Sequence, residues 1–158
     1  MAAGGLVVLA GSAGAWISKS QTAFKPGAPR ARYNAGVDRT FMLISAVAGF
    51  LGVALGAFGA HGLRGRLSPE MLAVFETGVR YQLYHTLALM ITAMLMARMG
   101  GWLFTTAAWC FTVGIVLFSG SLYALAISGV TVLGAVTPIG GLAFLVGWAC
   151  LALASARI

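Results

Sequence analysis

The sequence predicts an all-α polytopic membrane protein, a four-transmembrane-helix bundle with an N-terminal extension. Three observations predict it. Hydrophobic residues make up 60% of the 158-residue chain and charged ones only 8%, so a soluble domain of this size would lack the polar surface to cover itself. Mean hydropathy is +0.95, and the long apolar segments are apolar around their whole circumference rather than along one stripe. Four of those segments reach the roughly 20 residues that about 30 Å of hydrocarbon requires.

The first expected span is 40–60. The second is 81–99, with a helical lead-in from Pro69; the third is 102–127 and the fourth 138–156. Ser68-Pro69-Glu70 and Thr137-Pro138 each place a capping hydroxyl before a proline at the first helical position, which agrees with these starts. Residues 40–158 thus form one transmembrane domain, and 1–39 precede it. Within 1–18, GGLVVLAGSAGAWIS is apolar but short for a span and lacks the basic flank of a secretory signal; it reads as a membrane-associated anchor. Residues 19–38 hold prolines, glycines and basic residues without an apolar period, the pattern of an extended linker.

The basic residues set the expected orientation, because cytoplasmic loops retain Lys and Arg during insertion. Lys19, Lys25, Arg30, Arg32, Arg39, Arg98 and Arg157 fall on one side, and Arg64, Arg66 and Arg80 on the other. Both termini are therefore expected in the cytoplasm of a bacterial cell with a multi-pass inner-membrane protein, or in the mitochondrial matrix as the alternative. The net charge of +7 is explained by this asymmetry and by anionic headgroups. No basic groove with interleaved aromatics points to nucleic acid. Within the linker and its end, Lys25, Arg30, Arg32 and Arg39 are the expected partner contacts.

Helix packing is expected from small residues, which let backbones approach closely in lipid. Gly49, Gly52, Gly56 and Gly59 recur at spacings that put them on one face of the first helix. Gly120, Ala124 and Ser128, and Ala143 and Gly147, suggest the same on the third and fourth helices.

The stretch GAFGAHGLRGRLSPEMLAVFETGVRYQLYH, residues 56–85, gathers five of the thirteen charged residues and both histidines. Glu76 and Arg80 stand four apart in the favourable order for a helical ion pair. Tyr81 and His85 repeat that spacing on the neighbouring face, and His61 at the exit of the first helix is expected near their level. His61, Glu76, Arg80, Tyr81 and His85 are read as a structural polar cluster tying the first two helices together. Passage of a solute or ion through the same residues is the alternative, since ionisable groups in a membrane are functional candidates by default.

A haem or metal reading rests only on two histidines, without a carboxylate at Glu-x-x-His spacing; no cofactor and no metal are expected. Cys110 and Cys150 lie in apolar spans without CxxC or Cys/His spacing. Glu70 and Glu76, six apart, point away from each other on a helix. Ser119 and Ser121 lack a histidine or acid in their span, and GFLGVALG lacks the GK[ST] ending of a phosphate loop. No enzyme motif remains.

GAFGAHGL (56–63), FETGVRYQLYH (75–85), FSGSLYAL (118–125), TPIGG (137–141) and Gly147-Trp148, in this order, resemble the small membrane proteins of the domain of unknown function 423 family, which includes bacterial YgdD-type proteins and eukaryotic transmembrane protein 256. The resemblance covers about residues 40–157. It implies a four-helix inner-membrane protein and brings no reaction with it. Family members usually begin close to the first span, whereas here an apolar segment and a basic linker precede it. Together these readings lead to an expected non-catalytic accessory or stabilising subunit of a larger respiratory or photosynthetic inner-membrane complex, contacting lipid and other subunits.

Overall fold

The computed structural model describes residues 35–157. The expected anchor at 1–18, most of the linker, and Lys25, Arg30 and Arg32 lie outside the described residues. Helix α1 (Ala35–Phe58) runs into a π-helical turn at Gly59–Leu63. It is followed by α2 (Pro69–Met99), α3 (Trp102–Gly114), a second π turn (Ile115–Ser119), α4 (Gly120–Ser128), a 3-10 turn (Thr131–Ala135) and α5 (Thr137–Ser155).

Local chemistry explains the starts and stops. The Ser68 hydroxyl accepts from the Met71 N–H at 3.3 Å, and Pro69 supplies a fixed φ where its missing N–H costs nothing. At this exposed start, Glu70 is held below the usual carboxylate range, first by its own backbone N–H and then by Ser68. Between α2 and α3, Gly100 and Gly101 both take positive φ, 68° and 111°, which glycine adopts freely and which allows a two-residue reversal. Gly129 closes α4 at φ 72°. The expected cap at Thr137 is not formed. That residue lies inside α5, and its hydroxyl bonds to Ser121 at 2.8 Å instead.

Among the described residues three helices are long and apolar enough to cross a membrane, namely Gly36–Leu63, Trp102–Ser128 and Thr131–Ser155. The expected fourth, 81–99, is not one of them. Its helix forms, but α2 carries Gln82, His85, Thr86 and Thr92, all buried. These side chains are sheltered by protein rather than lipid, since α2 packs against α1, α3, the second π turn and α4. A helix at the centre of a bundle can carry polar groups that a lipid-facing one cannot.

The core divides in two. The larger part joins Phe41 of α1 to Leu89, Ala93 and Met96 of α2, Phe104 and Phe111 of α3, and Phe144 of α5. The smaller gathers Leu63, Phe75, Val79 and Ala126 at the opposite end. α5 lies along α3 and the second π turn, while α1 lies chiefly along α2.

Candidate functional site

Glycine decides how closely these helices meet. Gly49, Gly52, Gly56 and Gly59 all face α2: a Cβ added at each would lie 3.4 Å from Thr86, 2.7 Å from Leu83, 3.3 Å from Val79 and 3.1 Å from Phe75. On α5, a Cβ at Gly140 would fall onto the backbone of Phe118, and one at Gly147 would come within 2.8 Å of the Phe111 ring. On α2, Gly78 receives the Tyr123 ring. The stripe expected at Gly120, Ala124 and Ser128 is different. Gly120 has nothing within 4 Å, and Ala124 and Ser128 are exposed, because the buried face of this segment runs through Phe104, Ala108, Phe111, Ile115, Ser119, Leu122 and Ala126 at helical spacing and the three small residues lie on the opposite side.

Two buried polar side chains, three residues apart on α2, organise the interior. Gln82, 5% exposed, donates from Nε2 to the Ala48 carbonyl of α1 at 2.8 Å and accepts at Oε1 from the Tyr123 hydroxyl of α4 at 2.9 Å. One amide thereby connects three helices.

His85, 7% exposed, turns to the other side. The indole Nε1–H of Trp148 lies 3.3 Å from His85 Nε2, and His85 Nδ1 lies 2.8 Å from the Tyr81 carbonyl. An indole N–H can only donate, so Nε2 is the acceptor and Nδ1 carries the proton given to Tyr81. The geometry therefore describes a neutral imidazole. Its ring lies flat on Phe144, with centroids 3.4 Å apart and planes within 9°, and Phe111 packs beside it at 5.9 Å. Tyr81 stacks on Phe118 at 4.5 Å, extending the aromatic layer into the π turn. Two other buried hydroxyls, Thr86 Oγ1 and Ser119 Oγ, have no partner.

The structure separates the residues that sequence spacing grouped. Tyr81 and His85 do meet, with ring centroids 5.9 Å apart. Glu76 and Arg80 do not pair. Arg80 Nη2 donates to the Thr77 hydroxyl at 3.2 Å, and both charged residues are exposed, lining a 260 Å³ groove with Gly56 of α1 and Gly59 of the first π turn. A hydroxyl three residues back on the same face competes with the carboxylate, and water around an exposed pair removes the incentive to exclude it. His61 sits exposed in the first π turn and shares no contact with His85. Arg39 is exposed at the start of α1. Among the described residues no three of His, Cys, Asp or Glu gather as metal ligands, and both cysteines are free thiols.

Gln82, Tyr123, Phe144 and Trp148 were not singled out as site residues by spacing. Their one sequence signal is position: Gln82, Tyr123 and Trp148 belong to short motifs distant in the chain, and Phe144 lies between two of them. Those motifs meet in the fold. Ser121 of FSGSLYAL bonds Thr137 of TPIGG, Gly140 of TPIGG abuts Phe118, and His85 of FETGVRYQLYH bonds Trp148.

A helical bundle with lipid-compatible outer faces and a hydrogen-bonded aromatic interior defines an integral membrane protein. The chain belongs to the family described as "Protein of unknown function (DUF423)", whose profile matches residues 55–141. It is 44% identical over 120 residues to the UPF0382 membrane protein YwdK of Bacillus subtilis, covering 75% of this chain and 98% of that one. It is likewise 44% identical over 121 residues to the UPF0382 inner membrane protein YgdD of Escherichia coli, covering 77% and 92%. No solved structure matches it.

Proposed function

We propose that this chain is a non-catalytic inner-membrane protein that crosses the bilayer four times, with α2 as the sheltered fourth crossing and both termini in the cytoplasm, and that it serves as an accessory or stabilising subunit of a larger respiratory or photosynthetic assembly. One observation carries this reading: the two buried polar anchors of α2 each bond to another helix of the same bundle. Gln82 bonds to Ala48 of α1 and Tyr123 of α4, and His85 to Trp148 of α5, while Tyr81 of α2 itself takes the second ring nitrogen of His85. Groups used to fix helices in place are unsuited to hand a proton or ion along a path. The outer faces meanwhile offer large apolar side chains, among them Phe50 at 74% exposure and Leu145 at 66%, which suit lipid or a neighbouring subunit. The orientation rests on the seven basic residues of one side against three on the other.

The transporter alternative draws on the open groove holding Glu76 and Arg80. It is weakened because His61 and His85 do not join that groove.

Gentle detergent extraction from the native membrane, followed by mass spectrometry of what co-migrates, tests the assignment. A fixed-ratio set of inner-membrane subunits is expected. A chain that migrates alone under conditions preserving known complexes of that membrane would overturn it. In a background lacking Cys110 and Cys150, cysteines placed at Arg66 and Arg157 should be labelled from opposite sides; labelling of both from one side would remove the four-crossing topology.

A further inference from the structure

α1 and the α3–α4 segment both pack on α2, but they spread apart over its middle. The gap is a groove of about 550 Å³, within the size range of small-molecule sites. Its α1 wall includes Leu43, Val47 and Leu51, and its other wall Ile115 and Val116. Gln82 and Tyr123 are the polar groups at its floor, with Thr112 at the side.

The floor has hydrogen-bonding capacity left over. Gln82 Nε2 carries two N–H groups and one goes to Ala48; the Tyr123 oxygen donates its hydrogen to Gln82 and keeps its lone pairs. Neither side chain makes a further hydrogen bond. In an apolar surrounding, an amide N–H without an acceptor is costly. Gln82 bonds to Ala48, which by helix rise lies about 18 Å from one end and about 22 Å from the other of the membrane-spanning Gly36–Leu63, so it is deep in the hydrocarbon layer. The ester carbonyls of phospholipids lie at the boundary of a layer about 30 Å thick and do not reach it. An acyl chain would fill the walls and leave the floor unsatisfied.

We infer that this groove is a binding site for a membrane-soluble carbonyl compound, an apolar body or tail bearing a carbonyl at mid-depth that accepts the free Gln82 N–H, as a quinone ring would. Gly120 lines the groove with nothing within 4 Å of where a Cβ would stand. A side chain there closes the groove without disturbing the floor.

The test uses the full chain in lipid nanodiscs, following its unfolding temperature with a decyl-substituted benzoquinone and, as control, with decylbenzene. The benzoquinone should raise the midpoint and decylbenzene should not. Gly120→Leu should unfold near the wild-type temperature while weakening the response about tenfold. If Gly120→Leu does not fold, Val116→Phe, built from an exposed wall position, takes its place. Equal shifts from both compounds would mean that the groove holds any alkyl chain. An undiminished response in the groove-filling variants would place binding elsewhere. No response at all, or a wild-type dimer that Gly120→Leu converts to monomer, would mean that the groove is empty of such a ligand or covered by a second copy. Each of these results overturns the proposal.

Discussion

The two sides of α2 are held by different physics. Toward α5, contact runs through stacked rings, the Trp148–His85 hydrogen bond, and on α5 itself a glycine pressed against backbone at Phe118. Toward α1, four glycines meet the flexible ends or faces of side chains, and a single amide supplies the hydrogen bond. The first side is closed and the second is left with a groove. The most apolar stretches of α1 and of α5 are each only 17% buried, against 39% for α3–α4, so both outer helices are attached along one line and it is the kind of contact along that line that differs. Close backbone approach alone can bind a helix in lipid, but it does not seal the space beside it.

The sharpest way to break the comparison is to add one methyl group on each side. Gly140→Ala would drive a Cβ into the Phe118 backbone, which cannot rotate away; a loss of about 1 to 3 kcal/mol is expected. Gly52→Ala meets chiefly the end of Leu83, which can change rotamer, so its cost should be smaller. Thermal unfolding of both variants in detergent decides it. Equal losses would show that the two sides are equally rigid.

A second pair of changes removes the hydrogen bonds. Gln82→Leu leaves the Tyr123 hydroxyl without its acceptor and should cost about 1 to 3 kcal/mol. Adding Tyr123→Phe should return part of it, because removing both partners is cheaper than stranding one. His85→Phe keeps the stacking surface against Phe144 and should cost about 0.5 to 1.5 kcal/mol. If His85→Phe proved the more damaging, the polar contact rather than the aromatic layer would hold the closed side.

The smallest effect is expected at the exposed groove. Glu76→Gln and Arg80→Gln should each change stability by less than about 0.5 kcal/mol, and the double variant should show no coupling beyond the error of the measurement. A measurable coupling energy would restore the ion pair that the spacing suggested.

How much of this was legible in the chain varies by residue. The four helical segments were, to within a few residues at most ends, because length and hydropathy are local quantities. His85 was marked as unusual by lying in an apolar run, and its neighbour Tyr81 followed from spacing. Trp148 was not, since 63 residues separate it from His85 and nothing in either local sequence signals the other. Spacing misled at Glu76 and Arg80, because an i,i+4 pattern states only that two side chains can meet. It does not reveal that Thr77 offers Arg80 a partner.

By itself, then, the sequence determined a helical membrane protein and the approximate limits of its helices, since hydrophobic content and 3.6-residue periodicity are carried by each segment alone. Tertiary structure alone decided that α2 is the polar centre, that the face carrying Gly120 is left without a packing partner, and that Gln82 meets Ala48 and Tyr123 while His85 meets Trp148. These depend on which helices become neighbours and at what rotation. That choice is made by summed packing over the whole bundle, and no single segment contains it.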